Sequence, residues 1–187
     1  MADTNSQYDR TIKECKDIFL KKTQDYGTAW RVLREISIVD QVYIKAQRIR
    51  NIQETGQQKV GNIGDDIRSE FIGIINYSII GIIQLELTEN DPEELSVTDV
   101  ATLYHKYFSA AKTLMQSKNH DYGEAWRNMS QESFVDLILM KLQRMRQIVS
   151  NKGETIISEG LDANYYDMIN YSVFAMILLE EKQAFTL

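Results

Sequence analysis

Apolar residues recur along the chain at three- and four-residue intervals and never in sustained alternation, so helices are predicted and strands are not. A first helix is expected from about Tyr8 to Lys22, and a counterpart from about Thr98 to Ser117. In the first copy a second helix opens near Ser37 and Asp40 and ends near Thr55; in the other copy it runs from near Ser133 and Asp136 to about Asn151. The loops "GQQKVGNIG" and "KGETIISEG" follow, and a third apolar helix completes each half. Glycine after each Asp-Tyr pair supplies the positive φ that helix ends favour. Asp91 before Pro92, and Ser96 with Asp99, are start signals for the first helix of the second half.

These elements come in pairs. Asp25 and Asp121, Trp30 and Trp126, Asp40 and Asp136, Lys45 and Lys141, and Arg48 and Arg144 are each separated by 96 positions. "INYS" at 75–78 returns at 169–172 with an offset of 94, so the second of the two loops is shorter by two residues. The duplication covers about residues 7–89 and 97–182. The expected fold is all-α: two helical repeats, 1–90 and 91–187, packed as one pseudo-twofold bundle because three helices cannot cover their apolar faces alone.

Composition narrows the function. The chain has 187 residues, 43% hydrophobic and 26% charged, which suits a soluble globular protein with a sizeable core. "FIGIINYSIIGII", residues 71–83, is shorter than the ~20 residues of a membrane span and contains Asn76, so it reads as a buried helix. The first ten residues lack the apolar stretch of a secretory signal, and the single cysteine, Cys15, fits a reducing cytoplasm. A net charge of -6 disfavours a nucleic-acid surface but admits a single nucleotide carried with a metal ion.

Charged groups on apolar helices are the candidate chemistry. Asp136, Lys141 and Arg144 fall within an arc of about 140° on the second helix, and Asp40, Lys45 and Arg48 repeat them. They are either salt bridges on a solvated edge or fixed cationic donors for phosphate with a carboxylate beside them. On the third helix Asn164, Asp167, Asn170 and Tyr171 share an arc of roughly 120°. Asp66, Glu70, Gly73 and Tyr77 lie on the equivalent stripe, with Asn76 at its edge. Carboxylates on so apolar a helix must be paired, protonated or metal-bound. Glu70-x-x-Gly73 aligns with Asn164-x-x-Asp167, so each copy keeps one acid of a possible pair: two halves dividing one job, or drift after duplication. Oxygen donors without a Cys/His cluster favour Mg²⁺ or Mn²⁺, with Glu70, Asp167 and Asp66 as ligands. Tyr26, Trp30, Tyr122 and Trp126 either staple the turn or wall a flat ring, with Asp25 and Asp121 accepting its N–H donors or holding metal. Arg31 and Arg127 either meet phosphate or pair with those aspartates.

The run "DYGxAW", then "DxxxxKxxRxR", then "INYS" resembles the nucleotide modification associated domain 1 family, in two copies. That resemblance implies a link to nucleotide metabolism. A weaker similarity is to the all-α MazG-like pyrophosphohydrolases and dimeric dUTPases, which use E-x-x-E and E-x-x-D pairs with Mg²⁺. Glu70 and Asp167 match the second of those pairs, and no E-x-x-E precedes them. The leading expectation is a cytoplasmic Mg²⁺-dependent hydrolase of nucleotide or pterin triphosphates. Asp40, Asp136, Lys45, Lys141, Arg48 and Arg144 would do the chemistry, and Asn76 and Asn170 would join the aromatic residues in binding substrate. The alternative is a non-catalytic nucleotide-binding or protein-interaction module. The expected partner is a small phosphate ligand rather than nucleic acid or membrane, and a homodimer stays open.

Overall fold

The computed structural model describes residues 3–56, 63–157 and 159–184. Six helices follow in order: α1 (Thr4–Tyr26), α2 (Glu35–Thr55), α3 (Ile63–Glu86), α4 (Val97–Tyr122), α5 (Gln131–Ser150) and α6 (Leu161–Ala184). No strand occurs among the described residues. Short 3₁₀ turns, Ala29–Val32 and Ala125–Asn128, carry the two tryptophans between α1 and α2 and between α4 and α5.

Helix ends are set locally. Gly27 at φ +65 and Gly123 at φ +60 end α1 and α4, each donating its N–H to the carbonyl four residues back. Asp-Tyr therefore completes the helix, which runs four residues beyond the expected Lys22. Ser96 caps α4 by accepting the Asp99 N–H at 3.1 Å. Asp91 caps no helix and instead accepts the Thr88 N–H at 2.7 Å within a turn. Ser130 caps α5, accepting from the Ser133 N–H at 3.2 Å, so α5 begins ahead of Ser133 and Asp136.

One hydrophobic cluster draws on all six helices, with Tyr8, Ile38, Phe71, Tyr104, Phe134 and Tyr165 among its members. These are three repeat-related pairs: 8 with 104, 38 with 134, and 71 with 165. The apolar α3 and α6 pack on each other at the centre, α2 and α5 flank them, and α1 and α4 close the other side. The duplicated halves thus share a single core. Among the described residues no helix is long and apolar enough to cross a membrane.

Two buried clasps tie the halves together. The Tyr8 hydroxyl donates to Asn170 Oδ1 at 2.8 Å, and the Tyr104 hydroxyl donates to Asn76 Oδ1, also at 2.8 Å. Each amide then donates Nδ2 to a helix carbonyl of its own half, Asn76 to Cys15 at 3.2 Å and Asn170 to Ala111 at 3.1 Å. Removing either hydroxyl leaves a buried acceptor unpaired. Tyr8→Phe and Tyr104→Phe should each lower stability by about 1–2 kcal/mol. Equilibrium urea unfolding checks this, and the pseudo-twofold requires the two losses to be similar.

Candidate functional site

The clearest chemistry in the second half is a carboxylate held by two lysines. Asp167 is 5% exposed and accepts from Lys118 and from Lys141, each at 2.6 Å. Burial alone would raise its pKa, but the two ammonium donors outweigh burial and hold the carboxyl below the usual carboxylate range. Burial likewise opposes charge on Lys118, and the bond to Asp167 overcomes it and raises the lysine. Two turns further along α6, Phe174 stacks on Trp126 with ring centroids 4.2 Å apart and planes 6° from parallel. The Arg127 guanidinium lies 4.4 Å from the centre of the Trp126 ring.

In the first half the matching positions read differently. Gly73 replaces Asp167, and Ile80 replaces Phe174. A cavity of about 390 Å³ stands there between α1, the Trp30 turn, α2 and α3. Phe19, Tyr26, Trp30 and Tyr77 give it aromatic walls, and Lys22 and Lys45 line it with Asn76. Lys45 runs directly over Gly73, where a Cβ would fall 2.7 Å from the lysine stem. Its Nζ sits 3.3 Å from Glu70 and 5.7 Å from the centre of the Tyr77 ring. Glu70 also accepts from Arg48, which reaches Asp66 at 3.2 Å. Lys22 has no ion-pair partner among the described residues, and the buried Nε1 of Trp30 has no hydrogen-bond acceptor. The equivalent Trp126 Nε1 is also unpaired.

The remaining candidates lie elsewhere. Asp40 meets Arg146 at 2.8 Å and Asp136 faces Arg50 at 3.9 Å, a reciprocal pair between α2 and α5. Both carboxylates are about half exposed or more, so Asp40→Asn should cost under ~1 kcal/mol. It should leave ligand affinity unchanged, which thermal unfolding and titration calorimetry together test. Asp25 and Asp121 are exposed, as are Tyr26 and Tyr122, although Tyr26 still edges the cavity. Arg31 donates to Gln84 and to the Thr88 and Pro92 carbonyls. Arg127 donates to Glu124, Glu181, Thr4 and Gln7, so neither arginine pairs with its neighbouring Asp25 or Asp121. Asn76 and Asn170 spend their amides on the clasps.

Arg144 lines a separate groove of about 580 Å³ beside residues 154–157. The flanking Ile156 and Ile157 are almost fully exposed, so this groove is open to solvent on their side. The loop 57–62 of the first half lies outside the described residues. Among the described residues no three Asp, Glu, His or Cys side chains come together as a cation site. Glu70 and Asp167 sit in separate clusters, each matched by two cations. That donor set does not fit a bound Mg²⁺ or Mn²⁺.

Several contributors went unread in the sequence. Lys22 and Lys118 stand 96 apart, the same offset as the motif that follows them, and that offset is the signal that could have found them. Ile80 and Phe174 align through "INYS" in the same way.

Residues 22–85 and 118–179 each match the family described as nucleotide modification associated domain 1. Together they span more than half of the chain, which therefore belongs to that family as a tandem copy. No curated protein and no solved structure matches the chain.

Proposed function

We propose that the protein binds one small, ring-bearing anion of the nucleotide type in the first-half cavity, as a non-catalytic nucleotide-binding module. The cavity carries the reading: it joins aromatic walls with the exposed ammonium of Lys22, which has no ion-pair partner among the described residues. A space of about 390 Å³ is in the range of small-molecule sites, which are mostly apolar with a few converging polar groups. Lysines neutralise phosphate as point charges. The family description points toward nucleotides as the ligand class. A buried free cysteine at position 15 agrees with a cytoplasmic setting.

Hydrolysis through a metal is the weaker reading for this geometry. The acids expected to bind it are occupied by Lys45, Arg48, Lys118 and Lys141. Asp40 and Asp136 face arginines at the α2–α5 interface instead.

The test is a thermal-shift and calorimetric screen of ribo- and deoxyribonucleoside triphosphates and dihydroneopterin triphosphate, with and without Mg²⁺. A ligand that binds only the folded state raises the melting temperature. Lys45→Met should weaken binding about 10- to 100-fold, the worth of one charge-assisted hydrogen bond. Absence of any shift across the panel would refute the proposal. Pyrophosphate release that Mg²⁺ stimulates and Asp167→Ala abolishes would replace it with the hydrolase reading.

A further inference from the structure

We infer that the second half carries an internal copy of the ligand, built from Asp167 and Phe174, and that these side chains report the ligand's shape and orientation in the first half. This rests on the ligand site proposed above. Superposing the repeats by number places Lys118 on Lys22, Lys141 on Lys45 and Trp126 on Trp30. In the second half these three groups are satisfied from within: two lysines by the Asp167 carboxylate, and the indole face by the Phe174 ring. In the first half the same three border a cavity, because Gly73 has no side chain and Ile80 has no ring; there Lys45 reaches sideways to Glu70 at 3.3 Å, and Lys22 has no ion-pair partner among the described residues. Trp30 has no stacked ring among the described residues.

A carboxylate and a flat ring therefore fill one copy of the site, and an anion and a flat ring complete the other. Asp167 and Phe174 are seven residues apart on one helix, which separates them by about 10 Å along its axis. In an extended nucleotide that span exceeds the distance from the base to an α-phosphate and is met by the β- or γ-phosphate. The first-half ligand is thus a nucleoside di- or triphosphate lying along α3. Its base is on Trp30 near Ile80, and its terminal phosphate is between Lys22 and Lys45 near Gly73.

The test moves the plug. Gly73→Asp with Ile80→Phe installs it in the first half. The three atoms nearest a Cβ at Gly73 all belong to the flexible Lys45 side chain, which must shift to admit the new carboxylate. Titration with the nucleoside triphosphate that binds the natural protein most tightly should then show at least a 100-fold loss of affinity, with an unchanged or higher melting temperature. Asp167→Gly with Phe174→Ile removes the plug, and where this variant folds it should bind two molecules per chain rather than one. The natural protein should also prefer the triphosphate over its monophosphate by tenfold or more. Retained affinity in the plugged variant, while Lys45→Met loses it, would overturn the internal-copy inference and leave the ligand site standing. One molecule per chain in the folded unplugged variant would overturn it likewise, and equal affinity for monophosphate would overturn the assigned span. Failure of the natural protein to bind any triphosphate would defeat the underlying site itself.

Discussion

Asp167→Ala is expected to lower the unfolding free energy by about 3–5 kcal/mol, because removing one partner of a buried ion pair strands the other. Lys141 is the group stranded: its side chain is 8% exposed and, among the described residues, its one ion pair is with Asp167. Lys118, about half exposed, can turn to solvent and suffers less. The pH dependence follows from the lowered pKa of Asp167. A carboxyl depressed in the folded state adds stability above its unfolded value and loses it as pH falls through the folded one. The gap between the natural protein and Asp167→Ala is therefore full at neutral pH and closes below about pH 4. Raised Lys118 acts at the other end, its contribution staying intact until strongly alkaline pH. Urea unfolding of the natural protein and Asp167→Ala at neutral and acid pH measures the gap, and a gap that persists in acid would show that the loss comes from packing rather than charge.

Gly81→Val is expected to cost on the order of 3 kcal/mol or more, beyond the usual range for overpacking, since three carbons would enter space already filled by a buried ring. A Cβ at Gly81 would fall 2.2 Å from the tip of the Tyr165 ring, where α3 meets α6. Tyr165 is 1% exposed and has no route of retreat. The repeat-related pair is Phe71 with Ala175, a shorter ring against a larger helix residue. Gly81→Ala with Tyr165→Phe should accordingly recover stability relative to Gly81→Ala alone, as a double-mutant cycle in urea would register. Strict additivity would mean that the two positions do not share the contact.

The helices were legible because periodic apolar spacing and glycine stops act locally, and the repeat was legible because its motifs keep their offsets. Side-chain partners were harder to read. Asp40, Lys45 and Arg48 do lie on one broad arc of α2, but that arc straddles two neighbours. Lys45 and Arg48 turn to α3, and Asp40 turns to Arg146 on α5. Helical-wheel arithmetic gives an angle on one helix and is silent about which helix lies opposite. Glu70 and Asp167 looked like a divided acid pair for a comparable reason. Their positions along the helix differ between copies, and each is neutralised by the lysine of its own half. The polarity of Asn76 and Asn170 on an apolar helix suggests substrate contacts; the phenols that hold them are 96 residues apart at Tyr8 and Tyr104, a pairing visible only once burial is known. The cavity itself could not be read from the repeated groups, since it follows from a missing side chain at Gly73 and a missing ring at Ile80.

The most direct test is a crystal structure of the natural protein grown with a saturating nucleoside triphosphate. One bound molecule per chain is predicted, with its base against Trp30 and its phosphates at Lys22 and Lys45, while Asp167 and Phe174 keep their contacts in the other half. A nucleotide found at Lys118 and Lys141, in the Arg144 groove, or on the outer surface with the first-half cavity empty would contradict the account.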